Sequence, residues 1–400
     1  MTSKKDYPDR INWNLAGIIL FFSYLVFFLL RLNLFPVFLD IYYHIGVMQG
    51  FDLARGIVTW DFWEFASIGR PHFYPPLLHI LMLVLYKLGV SKINIAIFSS
   101  FIIFPLFILT FWYVVKKIFG SRLAFFVILS LLSSYSLFLG LTNTIAGTFC
   151  LTLLLLLFYA LHKDKKISSV ILTALLFYTH YAISIMGVLA LGLYFLFEKE
   201  KKAKLFLIAA GIIMALPWII NFACNIGYLG RSIHYEKGVE INLPLLAFSI
   251  IGFFLCLRLK GAHLFFIFLL LAGFTGTFKL PYSNYSYEAG MFAAFTERAN
   301  ATMSPYNIPI STSNMQKHIN NAKLILWLKN TEGVMEPELS SLIRDMRLEK
   351  IAETRMFYIY RNPAATPKMK ISHAVLPMEI SFLLVFVLFG LIGWDLLKKE

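Results

Sequence analysis

Long apolar runs alternate with short polar loops along most of the chain. A helix of about 20 apolar residues crosses a hydrocarbon core of about 30 Å, and ten runs approach or reach that length. The pattern therefore predicts a polytopic membrane protein with about ten transmembrane helices. The predicted spans cover residues 15–32, 93–115, 122–140, 145–161, 167–180, 181–197, 205–222, 243–257, 263–278 and 376–394.

One further apolar run, residues 77–90, is not counted as a span. It is short, and His79 and Lys87 interrupt it. Such a run is typical of a helix that lies in the membrane interface. With this run outside the bilayer the number of spans is even, and every lysine-rich loop falls on one side.

Composition and charge agree with this topology. Hydrophobic residues make up 59% of the 400 residues and charged residues only 14%, too few to cover a soluble globule of this size. The formal net charge of +14 comes from short basic loops, which are typical of the cytoplasmic side. We therefore expect a multi-pass cell-membrane protein with both termini in the cytoplasm, the lipid bilayer as a partner, and no nucleic-acid partner. The basic loops are residues 4–10, 116–122, 162–166, 198–204, 258–260 and 398–399.

The topology divides the chain into three parts. Residues 1–280 form a transmembrane domain with a large first extracytoplasmic loop at 33–92, residues 281–374 form an extracytoplasmic soluble segment, and residues 375–400 form a C-terminal transmembrane anchor. In the soluble segment, NAKLILWLKNTEG predicts an amphipathic helix and LEKIAETRMFYIYRNP predicts two short strands. The predicted fold class is an all-α polytopic membrane protein with a small extracytoplasmic α+β segment.

The first outer loop carries the densest group of polar and aromatic residues. Asp40 stands directly after the first span, where an unpaired acid near lipid costs free energy and is usually kept for a partner or a function. Further along, in TWDFWEF, we interpret the aromatic residues as anchors at the lipid headgroups. We interpret Asp61 and Glu64 as a solvated face rather than as catalytic groups.

Two stretches of this loop resemble a known superfamily. The D-x-x-Y-H arrangement at residues 40–44 and the element GRPHFYPPLLH at 69–79 resemble the GT-C superfamily of membrane glycosyltransferases. That superfamily includes the oligosaccharyltransferase catalytic subunit, the protein O-mannosyltransferases and the aminoarabinose transferases of lipid A. The resemblance covers roughly residues 10–220. In oligosaccharyltransferase-like members an amphipathic helix ends the first loop, as predicted here for 77–90.

The resemblance implies a GT-C-like fold and an activity. The activity is inverting transfer of a hexose or pentose from a polyprenyl-phosphate-linked donor to an acceptor glycan, lipid or protein on the extracytoplasmic face. Asp40 is the expected catalytic base. His180 is one of the expected substrate-binding residues, and an alternative role stays open for it, as a polar cap at a tight helix junction. The expected substrate-binding residues are Tyr43, His44, Arg70, His72, Tyr74, His180 and Arg298.

The second outer loop departs from the oligosaccharyltransferases. Where they carry acids that help to hold a divalent cation, this chain has Thr142-Asn143-Thr144. Hydroxyls and an amide are poor replacements for carboxylate ligands. The sequence therefore predicts no metal and no other cofactor, with a divalent cation as the less favoured alternative.

Two other functions remain open at this point. One is a non-catalytic membrane protein of the same fold that binds a lipid-linked glycan or scaffolds a glycosylation complex. The other is a secondary transporter, which usually shows a charge in mid-span or an inverted repeat. The predicted spans show neither clearly.

Overall fold

A computed structural model describes most of the first 226 residues and parts of the remainder. Predicted spans 243–257 and 263–278 and the site residue Arg298 lie outside the described residues. The described residues are 11–30, 40–63, 69–133, 141–142, 145–195, 201–226, 324–328, 347, 349–353, 357–361, 371 and 373–398.

Helices dominate the described part of the chain. They are α1 (Trp13–Leu30), α2 (Asp40–Ala54), α3 (Leu77–Lys87), α4 (Lys92–Phe119), α5 (Ser121–Ser133), α6 (Ile145–His162), α7 (Lys166–Phe177), α8 (Tyr181–Phe195), α9 (Lys201–Cys224) and α10 (Met378–Leu397). The strands are β1 (Gly56–Ile57), β2 (Trp60–Asp61), β3 (Arg70–Pro71), β4 (Leu324–Leu328), β5 (Glu349–Glu353), β6 (Phe357–Arg361) and β7 (Leu376–Pro377).

Five of these helices are long and apolar enough to cross a membrane: α1, α4, α6, α9 and α10. Each coincides with a predicted span. Helices α5, α7 and α8 are apolar but shorter, and they coincide with the predicted spans 122–140, 167–180 and 181–197. Helix α3 has 11 residues and, as expected for the run 77–90, is too short to span. An all-α membrane protein is thus confirmed, and the number of ten spans stays a prediction.

The chain divides into two compact units, of which the first is a helix bundle. It comprises residues 1–41, 89–216 and 386–400. Helix α4 packs on α5 and α6, helix α6 packs on α7 and α8, and α1 packs on α5. Close packing at the centre of the α4–α5 contact involves Phe104, Phe107, Ile108 and Ile128, all buried.

Within the first unit, both chain ends lie beside predicted cytoplasmic loops. Asp395 of α10 accepts a hydrogen bond of 2.8 Å from the backbone N–H of Ser168, in the first turn of α7. At the other terminus, the ring of Trp13 lies 5.6 Å from the guanidinium of Arg122 at the start of α5. Trp13 and Asp395, described residues near the two termini, thus each lie beside a basic loop. The predicted topology requires this arrangement, although its cytoplasmic orientation stays a prediction.

The second unit comprises residues 42–88 and 217–385 and contains the short strands. Strands β1 and β7 pair antiparallel, with Ile57 opposite Leu376. The N–H of Val375 donates to the carbonyl of Ile57 at 2.8 Å, and the N–H of Met378 donates to the carbonyl of Arg55 at 3.1 Å. These bonds attach the first loop to the residues that lead into α10.

A three-stranded sheet in the order β4-β6-β5 corrects one prediction and confirms another. The predicted helix in NAKLILWLKNTEG is wrong for residues 324–328, which form β4 and pair with β6. An apolar run as short as LILWL suits either a helix or a strand, and pairing with β6 decides the matter. The two strands predicted in LEKIAETRMFYIYRNP are β5 and β6, also antiparallel.

Candidate functional site

The site is built on the hairpin of β2 and β3 in the first loop. Asp61 stands directly opposite Arg70 in the antiparallel register, and directly opposite residues project their side chains to the same face. The backbone N–H of His72 donates to the carbonyl of Thr59 at 2.8 Å and prolongs the pairing. Gly69, at φ +73°, leaves no room for a Cβ, which would lie under 3.0 Å from the Asp61 carbonyl. The glycine therefore holds the hairpin that brings Asp61 and Arg70 together.

Asp61, Arg70 and His72 form a buried charged group, the Asp61 group. The carboxylate oxygen Oδ1 of Asp61 lies 2.6 Å from Nδ1 of His72, and Oδ2 lies 3.5 Å from Nε of Arg70. Asp61 and His72 are 0% exposed and Arg70 is 4% exposed. Neither contact has the alignment of a hydrogen bond. The attraction of opposite charges thus offsets the cost of burying the carboxylate and the guanidinium.

Next to the Asp61 group, two helices meet through a histidine pair. Nδ1 of His44, on α2, lies 2.8 Å from Nε2 of His79, on α3, so that one nitrogen donates and the other accepts. Both side chains are fully buried. Burial holds the pKa of His79 well below its ordinary value, and the positive charges of protonated His44 and His72 would lower that pKa further. The Pro75 carbonyl acts in the opposite direction but does not reverse the shift.

Aromatic rings join the two parts of the site. Phe51 packs edge-on against both His72 and His79, with centroids 5.5 and 5.8 Å apart. Trp63 and Trp218 pack edge-on against His72 at 5.6 and 5.9 Å. Aromatic side chains therefore surround the polar groups.

The two tyrosines of the predicted site lie beside the histidine pair. The ring of Tyr74 lies 5.0 Å from that of His44 and 5.4 Å from that of Tyr43, each measured between centroids. Near the end of α9, Nδ2 of Asn221 donates to the carbonyl of His72 at 3.1 Å. The structure thus places Tyr43, His44 and Tyr74 in one neighbourhood, and α9 holds the backbone that follows the hairpin.

The remaining predicted site residues have different surroundings. Asp40 is the first residue of α2, one helical turn before His44, and its side chain lies outside the described part. His180 immediately precedes α8, and its Nδ1 accepts from the backbone N–H of Ile183 at 3.5 Å. In the structure His180 thus caps the junction between α7 and α8, which was one of its two expected roles.

Sequence reasoning missed the importance of Asp61. The interpretation of this residue as part of a solvated face is wrong, because its carboxylate is fully buried. Phe62 and Trp63, interpreted as headgroup anchors, are buried within the protein as well. The available signal was Gly69 directly before Arg70, because glycine is typical of positions where the backbone adopts a positive φ or approaches another backbone closely. Glu64 and Phe65 lie outside the described residues.

The arrangement of Asp61, Arg70 and His72 is suited to hydrogen bonding and electrostatic stabilisation. Within the ranges that the structure describes, no group of three or more His, Cys, Asp or Glu side chains could hold a metal ion.

A scan against models of protein families and searches of curated proteins and of solved structures found no match to the chain. The geometry of the first loop is therefore the evidence on which a function can be proposed.

Proposed function

We propose that the chain is a membrane glycosyltransferase of the GT-C type. It transfers a sugar from a polyprenyl-phosphate-linked donor to an acceptor on the extracytoplasmic face, with inversion at the anomeric carbon and without a metal ion. The reaction takes place in the first loop, and apolar helices accommodate the isoprenoid tail.

The observation that carries the proposal is the concentration of buried ionisable side chains in this loop. Burying such groups costs free energy unless they are paired and hydrogen-bonded. Clusters of this kind are typical of functional sites. The members are His44, Asp61, Arg70, His72 and His79.

The position of Asp40 supports its role as the base. It begins a helix that follows α1 closely in the chain, and the predicted topology puts this stretch at the outer end of the first span. A carboxylate there reaches an acceptor in water and a donor anchored in lipid. The alternative role, stabilisation of the helix start, is also served by Asn, which caps helices as well as Asp does.

The transfer needs one proton acceptor and stabilisation of one leaving group. Asp40 takes the proton from the acceptor nucleophile while that nucleophile forms a bond to the anomeric carbon. The bond from that carbon to the phosphate oxygen breaks, and the electron pair remains on the phosphate. Arg70 stabilises the growing negative charge. Tyr43, His44 and Tyr74 line the donor site, and Arg298 and His180 remain proposed contacts to the substrate.

Transfer of labelled sugar by the purified protein in lipid tests the proposal. The donors are a panel of polyprenyl-phosphate sugars, and wild type is compared with Asp40→Asn, each with and without EDTA. We expect wild type to be active with EDTA present and the variant to lose at least 100-fold in rate, the usual contribution of a general base. Because Asn preserves the helix cap, the thermal stability of the variant should match wild type.

Three other outcomes would contradict this proposal. Full activity of Asp40→Asn would exclude Asp40 as the base. Loss of wild-type activity in EDTA would exclude a metal-independent reaction. Saturable binding of the carrier lipids without transfer from any donor would favour the non-catalytic membrane protein.

A further inference from the structure

Several buried polar atoms around the Asp61 group have no hydrogen-bond partner within the described part of the chain. They include Nε1 of Trp63, Nε2 of His72 and both carboxylate oxygens of Asp61, whose contacts with Arg70 and His72 are ionic and lack hydrogen-bond alignment. Buried polar groups in native proteins are nearly always hydrogen-bonded, so that several exceptions in one place require an explanation. A ligand that supplies the missing partners is such an explanation.

The chemical types of these atoms limit what the ligand is. The carboxylate of Asp61 only accepts hydrogen bonds, and Nε1 of Trp63 only donates them. Since Asp61 lies on the Nδ1 side of His72, the carboxylate favours the proton on Nδ1 and leaves Nε2 as an acceptor. A hydroxyl group both donates and accepts, and it matches this mixed set.

The same atoms disfavour a phosphate. A phosphate offers acceptor oxygens and negative charge, and the carboxylate of Asp61 would repel it. Arg70 lies at the Oδ2 atom of Asp61, 3.5 Å away, and His72 at the Oδ1 atom, 2.6 Å away, so the phosphate of the donor is assigned to the Arg70 side and not to the His72 side. The part of the donor that fits here is neutral and rich in hydroxyls.

The surrounding rings fit the same ligand. Phe51, Trp63 and Trp218 all pack around His72 with centroids 5.5–5.9 Å away. Binding sites combine apolar and aromatic walls with a few placed polar groups, and a sugar ring offers C–H surface as well as hydroxyls. Aromatic walls with unpartnered acceptors and one donor are therefore suited to a sugar ring.

We propose that Asp61, Trp63 and His72 form a subsite for hydroxyl groups of the sugar that the donor carries. This assignment rests on the proposed glycosyltransferase function and adds the group that recognises the sugar, as distinct from the phosphate and the tail. Asp61 and Nε2 of His72 accept from sugar hydroxyls, and Nε1 of Trp63 donates to a hydroxyl oxygen. Water is the other source of hydroxyl groups for these atoms.

A binding measurement in the absence of the acceptor substrate distinguishes sugar from water as the source of these hydroxyl groups. Wild-type protein in nanodiscs is titrated with farnesyl phosphate and with a panel of farnesyl-phosphoryl hexoses and pentoses, and the Kd values are compared. If the subsite binds sugar, at least one sugar-bearing lipid binds about tenfold or more tightly than the bare phosphate, a difference of roughly 1.4 kcal/mol. Equal affinities for all of them would assign the unpartnered atoms to water and overturn the proposal.

Three variants test which side chains provide the affinity gained from the sugar. His72→Asn keeps a polar group on the side that faces Asp61 and removes the group at Nε2, whereas His72→Gln keeps a polar group near Nε2. Trp63→Phe keeps an aromatic ring and removes the N–H. Within each variant the Kd for the sugar-bearing lipid is compared with the Kd for farnesyl phosphate. We expect His72→Asn and Trp63→Phe to abolish this difference and His72→Gln to retain part of it.

These binding measurements test the sugar subsite independently of catalysis. Retention of the full sugar contribution in both His72→Asn and Trp63→Phe would overturn the subsite even if the enzyme transfers sugar. The opposite combination is also informative. If the wild-type protein transfers no sugar but binds the sugar-bearing lipid more tightly, and the variants abolish this gain, the subsite would be supported and the transferase function refuted. A single unfolding transition shows that each variant is folded.

Discussion

At the scale of single residues, two glycines of α2 differ sharply in their surroundings. A Cβ added to Gly50 would lie under 3.0 Å from the ring of Trp63, whereas a Cβ on Gly46 would meet nothing within 4 Å. Both positions lie inside a helix, where Gly is less favourable than Ala by about 0.8–1.0 kcal/mol. Gly50 is thus required by the close approach of Trp63, and Gly46 is not.

Alanine substitutions of Gly46 and Gly50 give a matched pair of stability predictions. Gly46→Ala should stabilise the protein by up to about 1 kcal/mol through helix propensity. Gly50→Ala should destabilise it by about 1–3 kcal/mol, because Trp63 must move out of a packed position. Thermal unfolding of both variants in the same detergent measures the difference, and equal unfolding temperatures would contradict the described packing.

His79 gives a prediction about pH. Its pKa is lowered in the folded protein, mainly by burial, and is about 6.5 in the unfolded chain. Below pH 6.5 the unfolded chain therefore binds a proton that the folded protein excludes, and His79 makes stability fall as pH falls. The contribution reaches at most about 1.4 kcal/mol per pH unit. Above this range His79 contributes no pH dependence.

His79→Gln isolates this contribution. Glutamine does not titrate and keeps an amide near the position of Nε2, where it can still bond His44. Unfolding midpoints measured from pH 7.5 to pH 5 should fall less steeply in the variant than in wild type. Parallel pH curves for the two proteins would show that His79 does not remain neutral on folding.

The residues of the first loop show where sequence reasoning succeeds and where it fails. Tyr43, His44, Arg70 and His72 stand out in the sequence because a resemblance draws attention to their motifs, and the structure brings them into one region. Asp61 was misjudged because burial depends on its partner across the hairpin. Local sequence does not show whether a carboxylate faces water or an arginine nine positions further along.

At the scale of elements, the last helix stabilises the start of another. Asp395 of α10 accepts from the N–H of Ser168, one of the first N–H groups of α7, which lack partners within their own helix. A side chain from a distant part of the chain thus does what a local capping residue usually does. Lys165 adds a second link, since its Nζ donates to the carbonyl of Lys398 at 2.6 Å.

Removing this cap should cost stability. Asp395→Ala should lower the free energy of unfolding by about 0.5–2 kcal/mol, the usual cost of losing a helix cap. Asp395→Asn keeps an acceptor oxygen and should lose less than half as much. Thermal unfolding and protease sensitivity of the 162–166 loop measure both effects. An alanine variant as stable as wild type would show that the contact contributes nothing.

Element types were predictable where the apolar runs are long. Helices α1, α4 and α6 follow the predicted spans closely, because about 18 or more apolar residues fit little else. The short run in β4 was predicted wrongly, since five apolar residues acquire their structure from the partner strand β6. The length of an apolar run, and not its composition alone, thus decides whether the sequence predicts its secondary structure.

At the scale of the whole molecule, the side of the membrane on which each helix ends can be measured. The basic loops predict that α9 begins in the cytoplasm, so that its last residue, Cys224, lies outside. Cys224 is free and exposed. In a chain with Cys150→Ala and Cys256→Ala, a membrane-impermeant maleimide applied outside should label Cys224.

The matched control places the thiol at the other end of the helices. Lys166→Cys, with all three native cysteines replaced, lies at the start of α7 and should react only after the membrane is permeabilised. Labelling of both cysteines from the same side would contradict the predicted topology. Labelling of Lys166→Cys alone from outside would invert it.

The pairing of β1 with β7 has a consequence for the order of synthesis. Ile57 and Leu376, which stand opposite each other, are 376 − 57 = 319 positions apart. Ribosomes add about 5–20 residues per second, so β1 waits roughly 15–65 s for its partner. The first loop is thus exposed to quality control throughout translation of the remaining helices. A nonsense mutation before residue 376 would leave this loop permanently without its anchor, whatever happens to the residues of the site itself.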